Sequence, residues 1–182
     1  MYKSYLSYLI FSFLCMSFLL AQEAKKSAGP LIEDYGAVWD VPDPGFETKT
    51  DIEYRVMFDI YKSPSDPSKL NLGLNSLARF MNMHAKAGVP AENIKAVAIV
   101  HNQASWDMLM DDAYEEKYGV PNPNRELIVQ LKAAGAQIYQ CGQSLYSREV
   151  PRDQLLSEVD VALSAMTVIL NLQKEGYQLI KF

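Results

Sequence analysis

Of the side chains able to act as nucleophiles, bases or metal ligands, Cys141 has the most suggestive neighbourhood. It follows the short run Ala136 to Gln140 and precedes Gly142, Gln143 and Ser144. A free thiol has a pKa near 8.5, so only a few per cent is thiolate at neutral pH. A pKa about two lower would make the nucleophilic form the majority. Backbone amides could achieve this, because Gly142 lets the chain turn sharply and its amides approach the sulfur. A nearby cation could do the same, with Arg148 and a protonated His101 as candidates. Activated in this way, Cys141 is a nucleophile or sulfur carrier; without activation it is a small buried apolar side chain.

His101 and Asn102 close a second apolar run, Lys95 to Val100. His101 can orient a ligand, shuttle a proton or support the thiolate, or simply hydrogen-bond at a strand end. His84 falls on an apolar helical stripe and reads as packed or partly exposed. The chain has two histidines and two cysteines, and their spacing matches no zinc or iron–sulfur pattern. No metal or cofactor is therefore expected. GxGxxG, GxxxxGK[ST] and GxSxG are absent, which removes sequence support for dinucleotide binding, P-loop hydrolysis and a nucleophile elbow. Asp107, Asp111, Asp112, Glu115 and Glu116 read as the solvated face of a helix.

Alternating strand and helix signals must position these residues. Tyr54 to Tyr61 reads as a strand ended by Ser63, Pro64, Asp66 and Pro67. Leu70, Leu74, Leu77, Met81 and His84 step by four and three, predicting an amphipathic helix that stops near Gly88 and Pro90. Lys95 to Val100 is apolar enough for a strand covered on both faces. Helices are predicted from Ser105 to Tyr118 and from Arg125 to Ala134, then a strand over Ala136 to Gln140. After Pro151 one long helix is expected, with Leu155, Val159, Ala162, Met166, Ile169, Leu170 and Gln173 as its stripe. A last strand covers Tyr177 to Phe182. This alternation predicts an α/β fold with a mostly parallel sheet flanked by helices. Ligands of such sheets collect beyond the carboxyl ends of strands, where Cys141 and His101 both fall.

The chain has 182 residues, enough for one domain, with 49% hydrophobic and 21% charged residues, a globular balance. Its net charge of −5 argues against a nucleic-acid surface. Residues 1–21 contain one charge, Lys3, then an apolar run and Ala21. This is a signal-peptide layout, with a retained anchor as the rival reading. Cys15 lies inside the apolar run, where a lipidation site does not belong. Cleavage would leave Cys141 as the one thiol of an exported, periplasmic or secreted chain that no longer contacts the membrane. Residues 22–50 read as an extended arm rich in turn residues, whose Tyr35, Val38, Trp39 and Phe46 could lie across the core or a partner. Residues 51–182 make the single α/β domain.

The segments VHNQA (Val100 to Ala104), Tyr114, NPN (Asn122 to Asn124), CGQS (Cys141 to Ser144), LSAM (Leu163 to Met166) and LQKEGY (Leu172 to Tyr177) resemble the DsrE/DsrF-like family, most closely its exported single-domain branch. The resemblance implies a three-layer, flavodoxin/Rossmann-like fold that forms homo-oligomers, trimers or hexamers. In sulfur-relay members a strand-end cysteine accepts sulfur as a persulfide and passes it to a thiol. That role would map onto Cys141, with Gly142, Gln143 and Ser144 as the loop holding the sulfur and His101 and Asn102 as lining residues. The partner would be a thiol-bearing protein or a small sulfur compound. Two other readings stay open: a non-catalytic periplasmic ligand-binding or scaffold module with a structural Cys141, and a redox sensor using an exposed Cys141.

Overall fold

The structure, a computed structural model, describes residues 25–181. The leader expected over residues 1–21 lies outside the described residues. Lys26–Ser27 (β1) and Val38–Trp39 (β2) pair antiparallel as a small ribbon. Tyr54–Ile60 (β3), Ile94–Val100 (β4), Gln137–Cys141 (β5), Asp160–Ala162 (β6) and Gln178–Ile180 (β7) form one parallel sheet in the order β6-β5-β4-β3-β7. The chain thus walks outward from β3 to β6 and returns to place β7 beside β3.

The helices are Leu72–Lys86 (α1), Asp111–Tyr118 (α2), Arg125–Ala133 (α3), Gly142–Ser147 (α4) and Ala165–Lys174 (α5). Alternate strand residues face opposite ways, so each strand serves two cores. Val56, Phe58, Ala96, Ala98, Val100 and Ile138 meet the buried stripes of α1 and α3, among them Leu74, Leu77, Met81, Leu127 and Leu131. Met57, Val97, Ile99 and Cys141 meet α5 through Ala165 and Leu172. Each fully buried aliphatic side chain contributes about 1.5–3 kcal/mol, so both faces favour one register.

The α1 stripe follows the predicted spacing, and Asn71 caps it by accepting from the Gly73 and Leu74 amides. The arm is fastened by a polar side chain, Asn82. Its Oδ1 accepts from the Leu31 and Ile32 amides at 3.1 and 2.9 Å, and its Nδ2 donates to the Ile32 and Tyr35 carbonyls. Gly36 has φ of 65°, and a Cβ there would lie 2.4 Å from the Ala78 carbonyl carbon, so the arm rests directly on α1. Val38 is buried and Tyr35 packs on the core, but Trp39 and Phe46 stay exposed.

Two predicted helices take another form. Asn102–Met108 is a 3₁₀ segment, and only Asp111–Tyr118 is α-helical. Between them Leu109 bridges to Leu155, and the Met110 amide donates to the Gln154 carbonyl. The long helix expected after Pro151 is divided into a 3₁₀ turn at Arg152–Gln154, strand β6 and helix α5. Leu155, Val159 and Ala162 match a helical spacing by coincidence. Asp160–Ala162 pairs instead with Tyr139–Cys141 of β5, and Ser164 starts α5 by accepting from the Thr167 amide. Strand pairing satisfies the same backbone groups that a helix would have satisfied.

Candidate functional site

Leu145 of α4 packs with Val161, on the side of the sheet that carries α1 and α3, whereas α5 covers the other side. The connections leaving β5 and β6 therefore diverge. Their carboxyl ends open the kind of crevice in which parallel sheets hold ligands. Cys141 is the last residue of β5, cross-registered with Ala162 of β6, and caps α4.

Two helix starts converge on its sulfur. The Ser144 hydroxyl and the amides of Ala165, the first residue of α5, and of Ser144 and Gln143, in the first turn of α4, are the donors that favour its thiolate. Burial pushes the thiol pKa up, but the Ser144 hydroxyl and these amides outweigh burial and hold it below the ordinary value. Oriented amides at helix starts favour an anion because their dipoles point positive ends at it. The lowering thus comes first from the Ser144 hydroxyl and then from the backbone amides, and neither Arg148 nor His101 is among its causes. Cys141 is 6% exposed, a sheltered sulfur and not a surface thiol.

Gly142 makes this convergence possible. A Cβ on it would stand 2.8 Å from the Ala162 carbonyl oxygen, so any side chain would push α4 off the end of β6. Gln143 contributes its amide to the sulfur, while its exposed side chain reaches the Leu163 carbonyl at 3.4 Å. Ser144 links outward: its Oγ accepts from the Asn102 amide at 2.9 Å. Asn102 adopts φ of 57°, a left-handed conformation that Asn tolerates better than most residues, and its Oδ1 accepts from Arg148. Cys141, Ser144, Asn102 and Arg148 form one continuous polar chain.

His101 stands one residue past Val100, which is registered with Gln140, so it neighbours Cys141 across β4 and β5. Its ring is held on the far side, with Nε2 2.6 Å from Asp59 Oδ1 and the ring stacked on Tyr61. His84, by contrast, is half-buried between Tyr54 and Phe80, its Nδ1 2.8 Å from the Phe80 carbonyl oxygen, and far from this crevice in the fold. Burial pushes its pKa down.

Three participants escaped the sequence reading. Ala165 supplies an amide, and its signal was Ser164 as a helix cap, hidden by the single helix expected there. Asp59 was visible as the lone acid in the apolar strand YRVMFDI. Gln140 is fully buried, donating to Ser105 Oγ at 2.8 Å and to the Cys141 carbonyl at 3.0 Å.

The acidic cluster also requires correction. Asp107 is 1% exposed, not solvated, and its Oδ2 accepts from Asn71 Nδ2 at 2.6 Å and Ser63 Oγ at 2.9 Å. Burial pushes its pKa up to about 6 against these two donors. No group of three or more metal-ligating side chains occurs among the described residues.

The DsrE/DsrF-like family model matches residues 55–182. Comparison with curated proteins gave no match. Among solved structures, the protein of unknown function MTH1491 from Methanobacterium thermoautotrophicum is similar, with a TM-score of 0.53 at 23% identity, covering 70% of this chain and 98% of its own. That likeness concerns the fold.

Proposed function

Because the chain belongs to the DsrE/DsrF-like family, a family associated with sulfur relay, we propose that it carries sulfur as a persulfide on Cys141. The observation that carries this reading is the convergence of three amides and one hydroxyl on the sulfur at the start of two helices. These donors favour the thiolate as nucleophile, and they suit a persulfide anion equally well.

In this reading the Cys141 thiolate attacks the outer sulfur of a sulfane donor. The donor's sulfur–sulfur bond breaks, its inner sulfur leaves as a thiolate, and Cys141 holds Cys–S–S⁻. An acceptor thiolate then takes the outer sulfur and releases Cys141 as thiolate. No electrons are gained or lost overall. Cys141 is the one free cysteine among the described residues, so the acceptor is a second protein's thiol or a small sulfur compound.

Export directed by residues 1–21 and self-association complete the proposal. Self-association is supported by Leu163, just before α5, and by Met166 and Leu170 on α5, exposed by 72%, 71% and 60% beside the site. Mass spectrometry after incubation with inorganic polysulfide tests the central claim. One added sulfur atom on the Cys141 peptide, removed by dithiothreitol and missing in Cys141→Ser, is expected. An unmodified Cys141 would favour the ligand-binding or scaffold reading instead.

A further inference from the structure

Polar side chains continue from Cys141 along the carboxyl edge of the sheet. Asp59 is engaged on both oxygens, Oδ1 by His101 Nε2 at 2.6 Å and Oδ2 by Lys181 Nζ at 3.6 Å. Lys62 and Lys181 stand over the Tyr61 ring at 5.1 and 5.5 Å from its centroid. On the other side, Arg148 reaches Asn102, whose amide holds Ser144. Three exposed basic side chains therefore rim the carboxyl end of the sheet in a chain whose net charge is −5.

Asp59 and Glu149 offset part of this rim, and against three cations they leave it net positive. Asp59 is largely buried and already paired twice. Glu149, next to Arg148, lines a groove with Leu145, Val150 and Arg152 beneath α4. A thiolate attacking an anionic donor must overcome like-charge repulsion, and a cationic rim offsets that repulsion and draws the donor in.

Resting on the persulfide reading, we infer that the sulfur donor is a small anion, with Lys62, Lys181 and Arg148 guiding it to Cys141. For a thiosulfate-type donor the step is balanced. Cys–S⁻ bonds to the outer sulfur, the donor's sulfur–sulfur bond breaks, and sulfite leaves with the bonding pair. Asp59 orients His101 through Nε2 and leaves Nδ1 as its other ring nitrogen. With Nε2 this close to a carboxylate, the ring hydrogen belongs on Nε2 in the neutral form.

The test compares alkylation of Cys141 by iodoacetate, an anion, with that by neutral iodoacetamide. The ratio of the two rate constants cancels the thiolate fraction. It should be higher in the native chain than in denaturant. It should also fall about two- to three-fold for each charge removed in Lys62→Gln and Lys181→Gln, and fall with added salt. An unchanged ratio in both variants, with normal iodoacetamide labelling, overturns the anionic donor and leaves the persulfide reading standing. Failure of iodoacetamide to label the native chain removes both, because the sulfur is then inaccessible.

Discussion

Cys141 and Asp107 are both ionisable groups buried near the carboxyl end of one parallel sheet, and both receive hydrogen bonds. Yet the thiol is held below its ordinary pKa while the carboxyl is pushed up to about 6. The donors differ in kind. Cys141 faces amides fixed at two helix starts and a hydroxyl, whereas Asp107 has two side-chain donors, Asn71 and Ser63, in a more enclosed setting. A hydroxyl joined by three fixed backbone amides can outweigh burial where a pair of side-chain hydrogen bonds does not.

The largest change that would sharpen this contrast is Asn71→Ala. It removes a donor to Asp107 and the cap on Gly73 and Leu74. A loss of about 3 kcal/mol is expected in urea unfolding at neutral pH. A loss below about 1 kcal/mol would show that Asp107 draws little from Asn71.

Next in size is the pH dependence. The folded chain keeps the Asp107 proton to about pH 6, while the unfolded chain releases it near its ordinary value of 3.8. The folded state therefore binds more protons between these values. Stability falls by roughly 2–3 kcal/mol as pH rises from 4 to 6 and levels off above. Asp107→Asn should flatten that fall, and an unaltered slope would mean that Asp107 is not its source. Cys141 has the opposite sign: its depressed pKa adds stability on the alkaline side, and that contribution fades as pH falls through the folded pKa.

The smallest effect is expected for Ser144→Ala. The midpoint of Cys141 alkylation against pH should rise yet stay below that of the unfolded chain, since the three amides remain. A native midpoint equal to the unfolded one would transfer the effect to the hydroxyl and break the comparison.

Much of the frame could be read along the chain because strands and helices bury one face at a fixed period. The α1 stripe and the apolar run of β4 show this directly. Cys141 and His101 could be placed at strand ends because Gly142 and Asn102 interrupt those runs. The segment after Pro151 could not be read this way: a three-residue strand contains too few side chains to display a period. Asp107 was misread for a related reason, since its acidic neighbours suggested solvent and only packing showed its burial.

Local sequence determined that a cysteine follows a buried strand and precedes a glycine, because apolar runs and turn residues act over a few positions. The tertiary structure alone decided that β6 lies beside β5, that α5 begins at the sulfur, and that Asp59 on β3 holds His101 just past β4. Ala165 is 24 residues from Cys141 and Asp59 is 42 residues from His101. Strand order brings such residues together, and it depends on how both faces of the sheet are buried at once.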